Sequence, residues 1–415
     1  MERVAIVGGG VIGLATAWAL ARRGAAVTVV DPGPPERAAS HGNAGWVCPS
    51  LTEPVPAPGL VAQSVKWMAR PDSPLYIAPR ADPGFLRWLA DFWRHCTPEA
   101  HRAGFEATAR LAATALPLYD RMRADGVAFE EHRTGILFVY GDDAVLRHDY
   151  SHLGTIAEAG LEVPPLMDGA ALHALEPALR RDLAGGWWAR EERSVNPVTL
   201  VAGLTAWLER QGVVFLRAGA TGLTGANGRV TAVETDAGRL GVEQVVVAAG
   251  AWTPQVLKGT GVRAPIEAGK GYHVDYAPPP AGVPPLGRSL YLHELRVAVT
   301  PLDGMVRLAG TMELSGLNDR IRPERAAALP RGMATAVPGW PQGLDGLRPW
   351  VGPRPMTPDG LPLIGRAKGW SNLVLAAGHA MLGVTLAGST GDAVAELLGG
   401  GAPEVLRPFD PARFA

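Results

Sequence analysis

Three glycines near the start of the chain have the spacing of a phosphate-binding turn. Gly8, Gly10 and Gly13 form the pattern Gly-x-Gly-x-x-Gly, with Val11 and Ile12 between the last two. The first glycine permits a tight turn, the second lets the backbone approach a pyrophosphate, and the third lets a helix pack on a strand. The N–H groups at the start of that helix attract negative charge. By itself the motif is weak, because glycine-rich turns are common.

The elements around these glycines make the motif more specific. A β-branched run at 4–7 precedes it, helix-forming residues at 14–21 follow, and 26–30 predicts a second strand. Asp31 ends that strand, 18 residues after Gly13. A carboxylate there accepts hydrogen bonds from ribose hydroxyls and disfavours a 2′-phosphate. We therefore predict a dinucleotide-binding β-α-β unit, the alternative being a purely structural turn.

The later part of the chain decides between NAD and FAD. An NAD domain of two mononucleotide halves ends within roughly 150–180 residues of its first strand. Here buried strand patterns that stop at glycine return much later, at 244–250 and 373–378. A sheet whose strands are separated by such long insertions favours FAD over NAD, bound by a domain that is built from several separate segments of the chain.

Composition excludes several other classes of protein. Of 415 residues, 47% are hydrophobic and 19% charged, which is typical of a folded soluble chain. Lys plus Arg number 39 against 40 Asp plus Glu, so no basic excess indicates nucleic-acid binding. Cys48 and Cys96 are too few for a disulfide framework or a zinc site, and we expect no metal. No secretory signal precedes Val4, and we expect a cytoplasmic protein.

Several blocks, in order along nearly the whole chain, resemble the D-amino-acid oxidase-like flavoproteins. Within that family the bacterial D-amino acid dehydrogenase branch is the most similar, chiefly through Asn43-Ala44-Gly45 and the stretch Val-Lys-Trp-Met at 65–68. The blocks lie at 40–45, 195–197, 245–252, 352–365 and 376–385.

The resemblance implies an α/β fold in two parts. A discontinuous Rossmann-like FAD-binding domain would comprise 1–50, 185–255 and 345–398. A second α+β substrate domain, built on a mainly antiparallel sheet, would comprise 51–184 and 256–344. Residues 399–415 would form a loose C-terminal tail. Between these landmarks, 102–125 predicts one long helix.

The resemblance also implies how FAD is held. Binding is expected to be non-covalent, because the chain has no cysteine after Cys96, whereas some relatives attach FAD through a cysteine in the C-terminal half. Further cofactor contacts implied by the matching blocks are Ser40, Asn43, Ala44, Gly45, Ala249, Gly250, Trp252, Gly378, His379, Leu382, Gly383, Val384 and Thr385.

Arg354 matches the carboxylate-binding arginine of the family. Its guanidinium fork suits a planar carboxylate, and the flanking prolines stiffen the backbone. The plain alternative is a surface arginine, and Arg348 is more simply structural. Arg296 lies on a predicted strand and faces either substrate or solvent. Tyr272, His273 and Tyr291, on strands expected to wall the substrate, are candidate partners of its carboxylate or amine.

The implied reaction is oxidation of a Cα–N bond by hydride transfer from Cα to flavin N5. The imino acid formed then hydrolyses to a 2-oxo acid and ammonia. Hydride transfer depends on geometry more than on a strong base, so no general base is nominated. Some relatives carry a tyrosine near the position of Ala298, and its absence indicates a roomier pocket.

Four functions remain open from the sequence. The leading one is FAD-dependent oxidation of D-amino acids. The others are oxidation of a secondary or cyclic amino acid such as proline, hydroxyproline, sarcosine or glycine, a flavin 2-hydroxy-acid dehydrogenase, and a non-catalytic dinucleotide-binding module.

The electron acceptor implied by the dehydrogenase branch is a quinone or similar carrier. An aromatic stripe at 83–93 has three interpretations. It is an interfacial helix in peripheral contact with the inner face of the cytoplasmic membrane, a helix that packs on the substrate domain, or a protein–protein contact.

Overall fold

The computed structural model describes residues 3–34, 36, 38–61, 64, 73–158 and 160–415. The stretch 65–68 lies outside the described residues. The strands are Arg3–Val7 (β1), Ala26–Val30 (β2), Trp46–Val47 (β3), Leu75–Ile77 (β4), Glu131–His132 (β5), Ile136–Tyr140 (β6), Leu166–Asp168 (β7), Gly185–Ala189 (β8), Arg193–Val195 (β9), Val214–Leu216 (β10), Ala220–Ala226 (β11), Arg229–Thr235 (β12), Gly238–Gly241 (β13), Gln244–Val247 (β14), Glu267–Tyr276 (β15), Ser289–Leu292 (β16), Val297–Leu302 (β17), Met305–Leu314 (β18), Trp350–Met356 (β19), Leu363–Arg366 (β20) and Leu373–Ala377 (β21).

The α-helices are Val11–Arg22 (α1), Pro83–Arg94 (α2), Pro98–Ala112 (α3), Ala115–Ala124 (α4), Asp143–His152 (α5), Gly154–Glu158 (α6), Gly169–Leu175 (α7), Pro197–Arg210 (α8), Thr253–Val256 (α9), Pro323–Ala336 (α10) and Gly383–Leu398 (α11). Short 3-10 helices occupy Gly250–Trp252, His293–Leu295, Glu404–Phe409 and Pro411–Phe414. Among the described residues, none of the helices combines the length and apolarity needed to span a bilayer.

A six-stranded sheet brings together distant parts of the chain. Its order is β10-β2-β1-β14-β21-β20, parallel except for β20. Strands β1, β14 and β21 are almost wholly buried, as β-branched runs in a parallel sheet covered on both faces should be. Their carboxyl ends lie side by side, so the loops that follow each strand meet at one edge of the sheet.

A nine-stranded, mainly antiparallel sheet forms the second large unit. Its order is β19-β15-β18-β17-β16-β6-β8-β7, with β4 paired to β18. One face packs on α10 around Leu329 and Met333, which are fully buried. The opposite face looks into a large cavity. Two three-stranded sheets, β11-β12-β13 and β3-β9-β5, complete the described strands.

Two features of the helical and C-terminal parts differ from the predictions. The single helix expected over 102–125 is divided, since α3 ends at Ala112 and α4 begins at Ala115. Pro117 explains the break, because a proline ring clashes with the carbonyl four residues earlier. The C-terminal segment is not loose. Phe409 is fully buried, and Arg413 pairs with Asp359 at 2.6 Å.

Candidate active site

The glycine turn between β1 and α1 is shaped by close backbone contacts. Gly8 has φ +113°, and a Cβ there would lie 2.4 Å from the carbonyl oxygen of Ala248. A Cβ on Gly13 would lie 1.9 Å from the carbonyl oxygen of Gly8. Gly10, Val11 and Ile12 line the cavity together with Gly8, whereas Gly13 packs behind them. Only glycine fits at positions 8 and 13, as the phosphate-binding interpretation requires.

Asp31 joins the glycine turn to the loop after β2. Its Oδ2 accepts a hydrogen bond from the Gly9 N–H at 2.6 Å, and its Oδ1 accepts one from the Gly33 N–H at 2.7 Å. A carboxylate has about four acceptor sites, so two such bonds leave capacity for ribose hydroxyls. Asp31 lines the cavity, and its charge would repel a 2′-phosphate there.

The loop after residue 38 forms a second part of the wall. Ser40 Oγ accepts a hydrogen bond from the Val11 N–H at 3.0 Å, and Asn43 Nδ2 donates to the carbonyl of Met381 at 3.1 Å. Ser40, Asn43 and Ala44 line the cavity. Gly45 does not, because its α-carbon packs against Val195, where a Cβ would be 2.0 Å from the carbonyl oxygen.

The loops after β14 and β21 complete this end of the cavity. The lining residues there include Ala249, Gly250, Trp252, Gly378, His379, Leu382, Gly383, Val384 and Thr385. Burial lowers the pKa of His379 to about 3, so the ring is neutral, and its Nε2 lies 3.0 Å from Thr390 Oγ1. The Thr385 hydroxyl donates to the Trp46 carbonyl and accepts from the Cys48 N–H. It therefore ties α11 to β3.

These residues fit an FAD molecule. The cavity holds about 1360 Å³, above the usual 300–1,000 Å³ of small-molecule pockets, as a dinucleotide plus a substrate requires. The glycine turn and Asp31 would hold the adenosine and pyrophosphate parts. The loops at 38–44, 248–252 and 376–385 would hold the flavin.

Arg354 is a buried cation on the far wall of the same cavity. Its Nη1 donates to the Thr311 carbonyl at 2.5 Å and its Nη2 to the Gly310 carbonyl at 3.3 Å. The guanidinium lies across Gly271, where a Cβ would be 2.5 Å from Cζ. No carboxylate within the described ranges forms an ion pair with it. Burial lowers its pKa to about 10, which leaves it charged at neutral pH.

Of the three aromatic candidates, the structure brings only Tyr291 to the cavity. Its hydroxyl accepts a hydrogen bond from Arg296 Nη1 at 3.3 Å, and both residues line the wall. Its proximity also raises the pKa of Arg354, opposing the larger effect of burial.

Tyr272 and His273 lie away from the cavity lining. Tyr272 points to the opposite face of β15 and donates to Glu313 Oε2 at 2.7 Å. His273 is covered by Trp350, which stacks on it at 4.9 Å, and its Nδ1 lies 3.2 Å from the Gly42 carbonyl. Burial lowers the pKa of His273 to about 3. Pleat alternation turns Tyr272 away from the face that Gly271 presents to the cavity, whereas His273 shares that face but is covered by Trp350, so neither contacts a ligand there.

The chain belongs to the DAO family of FAD-dependent oxidoreductases. The family model, described as "FAD dependent oxidoreductase", matches residues 3–397. This confirms the resemblance drawn from the sequence blocks and FAD as the cofactor.

Two curated relatives match over nearly their full length. A D-amino acid dehydrogenase of Methylobacterium nodulans is 34% identical over 97% of this chain and 96% of its own. One from Xanthobacter autotrophicus is 34% identical over 100% of this chain and 99% of its own.

Solved structures share the fold. L-Proline dehydrogenase from P. horikoshii superimposes with a TM-score of 0.77 at 19% identity, covering 100% of this chain and 97% of that one. Glycine oxidase from Geobacillus kaustophilus gives 0.77 at 22% identity, covering 100% and 99%. The α/β fold expected from the sequence is confirmed.

Sequence reasoning missed three parts of the site. Thr311 and Gly310 supply the carbonyls that hold Arg354, and Gly271 makes room for its guanidinium. Gly271 lies just before the predicted strand and inside the observed strand β15, and a glycine within a strand often marks a close approach of another group.

Proposed function

We propose that the protein oxidises D-amino acids to 2-oxo acids and ammonia with FAD as the hydride acceptor. The observation that carries the proposal is Arg354, a buried guanidinium without a carboxylate partner among the described residues, in the cavity that also contains the dinucleotide-binding residues. Its missing partner is supplied by the carboxylate common to all amino acids. The relatives named D-amino acid dehydrogenase support the substrate class.

The residues act mainly by positioning. FAD supplies the group that takes a hydride from the substrate Cα. Arg354 binds the carboxylate through N–H groups left free by the Thr311 and Gly310 carbonyls, which fixes the direction of the Cα–H bond. The start of α11 lines the cavity, and its positive dipole end favours negative charge nearby. The imino acid then leaves and hydrolyses in water.

Space beside Arg354 favours a substrate with a side chain over glycine or sarcosine. Ala309, Ala298 and Tyr291 lie directly opposite one another on β18, β17 and β16, and all three line the cavity. The two alanines leave a depression bounded by the Tyr291 ring. A cyclic amino acid such as proline also fits this description, and remains the second candidate.

FAD binding is proposed to be non-covalent. Cys48 is the cysteine in the cavity wall, and its thiol donates to Glu192 Oε2 at 2.7 Å. Burial raises the pKa of this thiol, and the nearby Glu192 raises it further. A protonated thiol is a poor nucleophile, so Cys48 does not suit a covalent flavin bond.

The acceptor is proposed to be a quinone that reaches the flavin through an apolar rim. Helix α2 buries Phe85, Trp88 and Phe92 against the core, so most of the aromatic stripe packs inside. Trp93, 48% exposed, and Met381, 43% exposed, remain at the cavity lining. These side chains suit an apolar quinone or a peripheral membrane contact.

Two matched variants on helix α2 test whether the acceptor uses the apolar rim. Trp93→Ser should slow reduction of a short-chain, water-soluble quinone. Leu86→Ser is the control, since Leu86 is exposed on the same helix but does not line the cavity. Stoichiometric peroxide release at the turnover rate in air would contradict a quinone acceptor.

The division into domains is likewise proposed, with 1–50, 185–255 and 345–398 holding FAD and 51–184 with 256–344 forming the substrate part. Strands β8 and β19 fall within the ranges assigned to FAD but belong to the nine-stranded sheet, where β8 pairs with β6 and β7 and β19 pairs with β15. The two parts therefore meet at these strands.

Anaerobic reduction of the bound flavin tests the proposed function. D-Alanine, D-leucine, D-phenylalanine and D-proline should bleach the visible flavin absorbance, and their L-enantiomers should not. Bleaching by proline or sarcosine alone would favour the secondary-amine alternative. Bleaching by 2-hydroxy acids would favour the hydroxy-acid alternative.

A further inference from the structure

Thr311 lies in an irregular part of the nine-stranded sheet, beside Arg354. Strand β18 has two residues, Thr311 and Met312, where its neighbour β15 has only Gly271. This is a β-bulge, which re-aims side chains and is frequent next to active sites. Both residues of the bulge line the cavity.

The backbone of Thr311 is strained. Its φ is +55°, a left-handed conformation that β-branched residues rarely adopt. Contacts on each side hold it there: its carbonyl accepts from Arg354, and the N–H of Met312 donates to the Pro74 carbonyl at 2.7 Å. Strain of this kind persists where the surrounding structure enforces it, and it clusters at ligand sites. Glycine would adopt the same φ without strain, so the threonine side chain requires an explanation.

The hydroxyl of Thr311 has no hydrogen-bond partner among the described residues. The side chain is only 7% exposed, and its Oγ1 is buried. Buried hydroxyls are normally paired, because leaving one unpaired is unfavourable. Thr311 lines the cavity and its carbonyl binds the unpaired guanidinium of Arg354, so a turn of the side chain about its Cα–Cβ bond would bring the hydroxyl to a ligand there. A ligand with an acceptor group at Arg354 would satisfy both.

We propose that the Thr311 hydroxyl donates a hydrogen bond to the substrate carboxylate that Arg354 binds. The proposal rests on the proposed function and adds a substrate-binding residue to it. A carboxylate offers about four acceptor sites, and the arginine fork occupies two of them. The bulge therefore supplies a neutral donor beside the cation, and Arg354 and Thr311 together set the tilt of the carboxylate plane.

A matched pair of variants of the FAD-loaded enzyme tests this role. Thr311→Val keeps the shape and removes the hydroxyl, while Thr311→Ser keeps the hydroxyl. We expect Thr311→Val to lower kcat/KM for D-alanine by roughly ten- to a hundredfold, the effect of one hydrogen bond to a charged group. Thr311→Ser should stay within about threefold of wild type on the same reasoning.

Inhibition by propionate, a carboxylate with no amine, distinguishes substrate contact from a structural effect. Its inhibition constant should rise in Thr311→Val by the same factor as KM for D-alanine, and should recover in Thr311→Ser. An unchanged propionate constant in Thr311→Val would overturn the proposal, whether or not turnover falls.

A third variant guards against misfolding. Thr311→Gly removes the hydroxyl and relieves the backbone strain, so its melting temperature should exceed that of Thr311→Val while propionate binding is equally weak. Tight propionate binding by Thr311→Gly would refute the contact. Propionate binding can be followed by the flavin spectrum without turnover. Failure of every D-amino acid to reduce wild type would therefore count against the proposed function and leave the carboxylate contact separately measurable.

Discussion

We propose that substrate binding depends most directly on Arg354. Removing it would leave a carboxylate in a partly desolvated site without its partner, which costs roughly 2–5 kcal/mol in comparable pairs. We therefore expect Arg354→Leu to retain FAD but to lose roughly two to four decades of kcat/KM for D-amino acids. Steady-state kinetics together with the flavin content of the purified variant check this.

Two further arginine variants test whether the carboxylate is bound specifically by Arg354. Arg354→Lys should recover only part of the activity, because an ammonium does not reproduce a planar fork. Arg348→Leu is the control, since Arg348 does not line the cavity and should affect mainly stability. If Arg354→Leu were reduced by substrate as readily as wild type while Arg348→Leu was not, the carboxylate site would belong to Arg348.

Asp31 should control FAD affinity and not substrate binding. Asp31→Ala removes an acceptor for ribose hydroxyls and also frees the N–H groups of Gly9 and Gly33. We expect FAD binding to weaken by about 1.5–3 kcal/mol, as for a hydrogen bond to a charged group. Titration of the apoprotein with FAD measures this. Equal affinity in wild type and Asp31→Ala would contradict the assignment.

Site residues whose positions follow from spacing within one motif were predictable from the sequence. Site residues whose positions depend on an irregularity in strand pairing were not. Gly8, Gly10 and Asp31 line the cavity as the spacing of the motif indicates. Tyr272 was chosen because it lies on the correct strand, but its side chain points to the opposite face. The bulge that turns Thr311 toward the cavity depends on the pairing of two distant strands. No pattern within a single segment reveals it.

At the level of elements, the face of the nine-stranded sheet should select substrate size. Ala298 lies opposite Tyr291 and Ala309 on that face, and a larger side chain there would fill the depression. Ala298→Phe should lower kcat/KM for D-phenylalanine and D-leucine by roughly tenfold or more. D-Alanine serves as the internal control and should be nearly unaffected. An equal loss for all three substrates would show that the depression does not hold the side chain.

Helix ends illustrate what sequence patterns specify at this scale. The aromatic stripe at 83–93 predicted a helix, and α2 spans Pro83–Arg94 with the Asp82 side chain accepting from the Gly84 N–H. The break at Ala113 follows from Pro117, a signal that the apolar periodicity concealed. The packing of Phe409 in the core could not be inferred, because it depends on a surface formed by distant segments.

At the level of the whole molecule, the site forms where distant segments of the chain each contribute a strand to the same sheet. Strands β1, β14 and β21 are widely separated in sequence, yet they pair in register. Each reads as a buried run that stops near glycine, so their membership in one sheet was predictable from pattern. The way the nine-stranded sheet faces this edge was not predictable from pattern. Which of its residues point to the cavity and which to the core depends on pairing between strands distant in sequence.

Two buried histidines should make the whole protein sensitive to acid. His273 and His379 have pKa values lowered to about 3 by burial, whereas an unfolded histidine titrates near 6.5. Below pH 6.5 the unfolded chain therefore binds protons that the folded chain does not, and stability falls as the pH falls toward 3. Above pH 6.5 neither histidine contributes.

His273→Gln removes the titration of one buried histidine. Its amide N–H can still donate a hydrogen bond to the Gly42 carbonyl, which lies near the His273 ring. Each buried histidine should steepen the loss of unfolding free energy by about 0.7 kcal/mol per pH unit at pH 6.5, rising to about 1.4 near pH 5 as the unfolded histidine becomes fully protonated. Urea unfolding of the FAD-saturated protein between about pH 5 and 6.5 should thus give His273→Gln a slope shallower by about 1 kcal/mol per pH unit on average. Parallel curves for wild type and His273→Gln would mean that His273 is protonated in the folded protein, and that its ring, stacked on Trp350, is not sealed from water.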